Sequence, residues 1–174
     1  MKKLITIQKF ALKTLLLAVA GLLLSTEPAA AVLQKGDKAP AIKMTTTSGQ
    51  PITLNNYKGY VLVMDFFATW CIPCKESIPH MNSLNRKYGK QGLQILGVSV
   101  DEGLDREVKN FIGERKISYP VAIADEDMQT EYGLRSIPTV YVINKKGMVA
   151  EKYQGYSDQT GKAMEETIKR LLAE

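Results

Sequence analysis

The run Val61-Leu62-Val63-Met64-Asp65-Phe66-Phe67 leads through Ala68-Thr69-Trp70 straight into Cys71-Ile72-Pro73-Cys74, and this junction constrains the chain more than any other segment. A nearly uninterrupted apolar run of this length reads as a central strand covered on both faces. The two cysteines, the only ones in the 174 residues, follow where the next helix should begin. A first helical turn carries unpaired N–H groups and the positive end of the macrodipole, which favour an anion and lower a cysteine pKa from about 8.5 to roughly 3.5–7.5. Cys71 is therefore the expected nucleophile, exposed and readily ionised, with Cys74 shielded behind it.

A Cys-x-x-Cys pair also occurs as half of a zinc site or as a structural disulfide. Zinc takes four protein ligands at a structural site or three at a catalytic one, and His80 is the only other soft or imidazole ligand in the chain. A staple gains with the length of the loop it closes, and this loop is minimal. The redox reading is the one both arguments favour.

The formal charge of +5 comes largely from one end. Lys2, Lys3, Lys9 and Lys13 lie in residues 1–31 with only Glu27 against them, so the remainder holds 19 Lys and Arg against 17 Asp and Glu, or +2. Nothing in that balance calls for nucleic acid. Residues 1–31 have a basic start, an apolar segment Thr14 to Leu24, Pro28, and Ala29-Ala30-Ala31 as a small-residue cleavage site. This is the pattern of a signal peptide. An uncleaved N-terminal anchor is the competing reading, but the apolar stretch of 11 residues falls short of the ~20 that span a bilayer. Either way the body, residues 32–174, is expected on the far side of the membrane, where disulfide chemistry operates.

That body shows no repeat or long linker. The pattern predicts a hairpin (Ile42 to Thr46, then Pro51 to Leu54), a helix from Cys71 to about Tyr88 with Pro79 inside it, and a second buried strand from Leu93 to Val100. An amphipathic helix follows over Leu104 to Arg115, with Leu104, Val108, Phe111 and Ile112 at helical spacing. Then come a strand over Tyr119 to Ala124, a brief helix over Asp127 to Tyr132, and a strand pair, Thr139 to Asn144 and Val149 to Tyr153. A last helix is capped by Ser157, with Ala163, Ile168 and Leu171-Leu172 inward. The order predicts an α/β domain, a central mixed β-sheet flanked by helices.

Asp65 stands out on physical grounds. A carboxylate inside an apolar strand costs several kcal/mol unless it is hydrogen-bonded or protonated, so burial raises its pKa towards neutrality, where it can accept a proton. The plainer reading is an Asp at a strand end reaching solvent.

From about residue 32 onward the chain resembles the thioredoxin superfamily. The likeness rests on Asp65-Phe66-Phe67-Ala68-Thr69-Trp70, Cys71-Ile72-Pro73-Cys74, Pro79 and Ser136-Ile137-Pro138-Thr139 in that order. The opening Lys35-Gly36-Asp37-Lys38-Ala39-Pro40 with Ser48-Gly49 is similar to the extracytoplasmic TlpA/ResA-type branch. The resemblance implies a thioredoxin-like fold with an N-terminal hairpin extension and an inserted helix and strand before a cis-proline at Pro138. It implies a thiol:disulfide oxidoreductase that needs no cofactor and no metal, acting on disulfide-containing extracytoplasmic proteins, apocytochrome c included, and recharged by a membrane electron donor. Asp65 would take the proton of Cys74. Ile137 and Pro138 would present backbone to a bound peptide, Trp70 would shield the disulfide and offer a contact surface, and Ile72 and Pro73 would tune the potential. A peroxide-reducing enzyme or a copper-handling module are the alternatives. Neither fits well: a peroxidase site would put Thr three residues before its cysteine, where Ala68 and Cys71 stand, and a copper site needs a wider cysteine spacing and a distant His.

Two positions depart from the pattern. Ser77 stands where the TlpA/ResA branch carries a helix Glu, with Glu76 one residue, or about 100°, away. Gly97 stands where thioredoxin places a Lys beside its buried acid. Asp65 is thus left to do the proton work by desolvation alone. His80 and Lys75 are read as helix-surface residues.

Overall fold

Val61–Phe67 forms a strand with all 7 residues buried, and the rest of the domain is arranged around it. The computed structural model describes residues 33–174; the leader expected over residues 1–31 lies outside them. In chain order the elements are β1 (Lys43–Thr45), β2 (Pro51–Thr53), β3 (Val61–Phe67), α1 (Ile72–Tyr88), β4 (Leu93–Ser99), α2 (Asp105–Arg115), β5 (Val121–Ile123), α3 (Glu126–Glu131), β6 (Thr139–Ile143), β7 (Val149–Gln154) and α4 (Asp158–Ala173). The sheet order is β5-β4-β3-β6-β7, with β1 and β2 as a separate antiparallel pair. β3 runs parallel to β4, β4 parallel to β5, and β6 antiparallel to both β3 and β7.

This is the mixed α/β thioredoxin-like fold the resemblance implies. The hairpin extension is β1-β2, and the inserted helix and strand are α2 and β5. Both sheet edges are covered, which removes sites for unwanted strand pairing. Thr47 N–H donates to Val121 O on β5 at 2.8 Å. On the other edge Gly36 N–H donates to Val149 O at 2.8 Å, and Val149 N–H returns a bond to Asp37 O at 2.8 Å.

Alternation along β3 sends its residues to two cores. Val61 and Val63 pack with Met81, Leu84 and Tyr88 of α1 and Met164, Ile168 and Leu171 of α4. Leu62, Met64 and Phe66 face the other way, against Leu96, Tyr132, Tyr141 and the hairpin residues Ile42 and Ile52. A third cluster joins Phe67 and both cysteines to Val108 and Phe111 of α2. The α1, α2 and α4 helices therefore share one face, while the short α3 and the hairpin cover the opposite one.

Two inner-face expectations are corrected. Leu104 is 41 % exposed, because its backbone (φ −110°, ψ 41°) is not yet helical and the buried series starts at Val108. In α4 the buried positions are Gly161, Met164, Ile168 and Leu171, whereas Ala163 is exposed. One residue is about 100° of helix, so placing the stripe at Ala163 instead of Met164 rotates it off the core. The cap at Ser157 is as expected, accepting from Thr160 N–H at 3.2 Å. Pro79 lies inside α1 on its exposed side and has no N–H to donate to Lys75 O.

The corrected stripe predicts that Ile168→Ala costs about 2–5 kcal/mol in chemical denaturation. Ala163→Lys should stay within about 0.5 kcal/mol of the parent.

Candidate active site

The end of β3 delivers the chain into a tight turn, with Cys71 N–H donating to Ala68 O at 3.2 Å. Cys71 is the N-cap of α1, with extended backbone (φ −78°, ψ 113°) and Pro73 in the first turn. Its sulfur takes the capping role that a Ser or Asp oxygen usually fills: Cys74 N–H points at Cys71 Sγ at 3.2 Å. Lys75 N–H donates to Cys71 O at 3.2 Å. The two cysteines are joined as a disulfide with a Cα–Cα distance of 5.3 Å. Cys71 is 5 % exposed and Cys74 1 %. The order of accessibility is the expected one, but Cys71 sits at a rim rather than in the open, because Phe67, Ala68 and Ile78 pack around the pair.

Trp70 and Ile72 flank that rim at 67 % and 68 % exposure. Trp70 is therefore no core aromatic, and with Ile72 and the exposed Pro73 it makes an apolar collar around Cys71. The Ile137-Pro138 peptide bond is cis. Ile137 packs against the cluster that holds both cysteines, so the loop before β6 and the start of α1 meet there. Pro138 is buried, and its carbonyl accepts from Gly155 N–H at 2.8 Å.

Asp65 lies on the same face of β3 as Val63 and Phe67, the face towards α1. Its strand partners are Gly97 and Val140. It is 1 % exposed, and its Oδ1 has no hydrogen bond. Desolvation pushes its carboxyl up to about 7, and no neighbouring charge contributes. The strand-end reading, with the side chain reaching solvent, is excluded by this burial. Glu76 is exposed, as the rotation about α1 requires, and the buried Ser77 turns back to donate to Cys74 O at 2.9 Å. His80 is corrected from a surface residue: it is half-buried, with Nε2 3.1 Å from Gly161 O, and joins α1 to α4.

Asp101 was legible in the sequence only as the residue after β4, yet it organises the site. Its Oδ2 accepts from Thr69 N–H at 2.8 Å and from Ser99 Oγ at 2.7 Å, and its Oδ1 accepts from Thr69 Oγ1 at 2.9 Å. A buried carboxylate thus clamps the residue two positions before Cys71 to the end of the neighbouring strand. The available signal was topological: β3 and β4 are parallel, so the segments leaving their C-terminal ends lie side by side, where polar residues gather for function.

Comparison with known proteins fits this geometry. The AhpC/TSA family model matches residues 35–152. The chain belongs to the AhpC/TSA family. It is 36 % identical over 141 residues to the thiol-disulfide oxidoreductase ResA of Bacillus thuringiensis subsp. konkukian, covering 80 % of this chain and 79 % of that protein. A Chlorobium tepidum structure named as the thiol:disulfide interchange protein DsbE superposes with a TM-score of 0.76 at 30 % identity, over 80 % of this chain and 99 % of that one. A second Chlorobium tepidum structure, a thiol:disulfide interchange protein of the thioredoxin family, gives 0.70 at 28 % identity, over 80 % and 98 %. This family member is thus a thiol-disulfide oxidoreductase of the thioredoxin superfamily, and it carries a Cys71–Cys74 pair.

Two predictions follow from the two aspartates. Asp101→Ala strands the Thr69 and Ser99 donors and should cost about 1–3 kcal/mol per buried group, with faster alkylation of reduced Cys71 as its segment loosens. Asp65 binds its proton more tightly in the folded state than in the unfolded one, so its contribution to stability falls as pH rises from about 4 to about 7. Asp65→Asn should therefore match the parent near pH 4 and exceed it by up to about 4 kcal/mol at pH 8, read by urea denaturation at the two pH values.

Proposed function

We propose that this protein reduces protein disulfides outside the cytoplasm, with Cys71 as nucleophile, Cys74 as resolving thiol and Asp65 as proton acceptor. The observation that carries the assignment of roles is the Cys74 N–H directed at Cys71 Sγ at 3.2 Å at the start of α1. In the reduced protein that N–H and the helix terminus favour the Cys71 thiolate.

The Cys71 thiolate attacks one sulfur of a substrate disulfide. The substrate S–S bond breaks, a Cys71–substrate mixed disulfide forms, and the other substrate sulfur leaves as a thiolate. Cys74 then passes its proton to the Asp65 carboxylate and attacks Cys71 Sγ. The Cys71–Cys74 bond forms, and the second substrate sulfur leaves. The substrate gains two electrons and the enzyme loses two, so an electron donor must reduce the pair again. Trp70, Ile72, Pro73 and the backbone at Ile137 and Pro138 form the contact surface, where an extended peptide can add like a strand.

The location is supported by the signal-like residues 1–31, and the membrane electron donor follows from it. Apocytochrome c as one substrate rests on the resemblance to the TlpA/ResA branch. Among the described residues no helix is long and apolar enough to cross a membrane.

The test is a Cys74→Ser variant produced with its own leader. It should accumulate mixed disulfides with extracytoplasmic proteins, and the wild-type pair should have a reduction potential near or below about −270 mV. No trapped partner under conditions where the wild type is active would overturn thiol exchange, and a potential near about −120 mV would reverse the proposed direction.

A further inference from the structure

Asp65 Oδ1 is the one fully buried side-chain oxygen or nitrogen among the described residues without a hydrogen bond. Such an atom demands an explanation, since an orphaned buried acceptor costs stability that a native fold rarely gives up without return. The answer lies across the sheet. Gly97 is the β4 partner of Asp65, so a side chain there would share its face. None would fit: a Cβ on Gly97 would lie 3.0 Å from Val121 Cγ2, 3.2 Å from Phe67 Cε1 and 3.2 Å from Tyr119 Cε2.

Tyr119 therefore occupies the space that Gly97 leaves. The contacting atom, Cε2, is one bond from the ring carbon that carries the hydroxyl, so it is the polar end of the ring that lies over Gly97. Neighbouring strands are about 4.8 Å apart, which puts a group over Gly97 within one strand spacing of Asp65. The ring is held at its base by α1, because Asn82 Nδ2 donates to Lys116 O at 3.0 Å and Ser118 N–H donates to Asn82 Oδ1 at 2.9 Å.

We propose that Tyr119 is a positioning residue for the oxidoreductase reaction, its phenol being the hydrogen-bond donor that meets the Asp65 carboxylate when Cys74 gives up its proton. The proposal rests on the proton-acceptor reading of Asp65. Tyr119 is 6 % exposed, and none of the hydrogen bonds among the described residues uses its hydroxyl, so the phenol has no protein partner where Asp65 Oδ1, across Gly97, also lacks one. Burial first, and then the charge of Asp65, hold the phenol well above its usual pKa. Tyr119 thus remains a donor throughout the working range and never competes as a base. The strand partners of Asp65 supply no alternative donor side chain: β4 offers Gly97 and β6 offers Val140. Where a cation would hold the acid ionised at all times, a neutral donor stabilises the charge only once it forms. The acid can then cycle between its two states.

Tyr119→Phe removes the hydroxyl and keeps the ring. A donor to a carboxylate favours its charged form, so its loss should raise the pH at which Asp65 ionises. In rapid-mixing kinetics on the full chain, the pH midpoint of the Cys74 resolution step should move up by about half a unit or more, with a step slower by about two-fold or more at pH 7. The two rates should converge at alkaline pH, and the initial attack by Cys71 should be unchanged. Carbon-13 NMR titration of the Asp65 carboxyl in the reduced protein should show the same upward move. An unmoved midpoint, or a loss of rate by one factor at every pH, would overturn the proposal, because a purely structural role predicts those outcomes. Asp65→Asn measured alongside separates the two readings. If it keeps the wild-type midpoint, the Asp65 assignment itself has failed; if it abolishes the midpoint while Tyr119→Phe leaves it in place, only the Tyr119 proposal has.

Discussion

The placement of β3 between β4 and β6, buried along its whole length, is the constraint on which the rest depends. A strand with neighbours on both sides, helices on one face and α3 with the hairpin on the other must be apolar on both faces, and Val61 to Phe67 meets that requirement at every position except Asp65. The burial fixes the register, since a one-residue slip would exchange the two cores. It also fixes where the strand ends, and therefore where α1 can start. Cys71 is an N-cap because the strand before it is rigid and the turn of Ala68 to Trp70 is short. The reactive geometry is thus a consequence of sheet packing, reached without any loop long enough to wander.

Much of this was readable from residues because the signals are local. The apolar run, the Cys-x-x-Cys after it and the Ser157 cap each depend on neighbours a few positions away. The same holds for the departures at Ser77 and Glu76, where helical rotation alone separates a buried residue from an exposed one. What the residues did not disclose is tertiary. Leu104 matches the period of α2 but precedes its first turn, and Ala163 yields to Met164 because the stripe on α4 is defined by where the sheet lies. His80 reads as a surface residue until α4 arrives with Gly161, a residue small enough to let the imidazole reach its carbonyl; a Cβ there would lie 3.3 Å from His80 Nε2.

The collar around Cys71 suits the contact surface proposed for thiol exchange. Exposed Trp70 and Ile72 would be a liability on most surfaces, where large apolar side chains invite association. Here they stand beside the Cys71–Cys74 disulfide, and association is what thiol exchange requires. The cost is limited by holding the collar still. Thr69 is tied by backbone and hydroxyl to Asp101, so Trp70 and Cys71 are presented from an anchored residue and little ordering remains to be done on contact.

Asp65 and Asp101 make the physical contrast on which the site turns. Both are carboxyls on or just beyond adjacent parallel strands, and both are buried, at 1 % and 3 % exposure. Asp101 is met by three donors, two from Thr69 and one from Ser99, and its burial is thereby offset, which makes it a fixed strut. Asp65 is met at Oδ1 by none and is held near neutrality by desolvation. Residue type and burial are the same in the two cases; the supply of donors differs, and two of the three that meet Asp101 come from Thr69, 32 positions away in the chain. The proton acceptor proposed for Asp65 must change between two states. The fold thus gives donors to Asp101 and leaves Asp65 Oδ1 without one, and the proton-acceptor role proposed for Asp65 rests on that contrast.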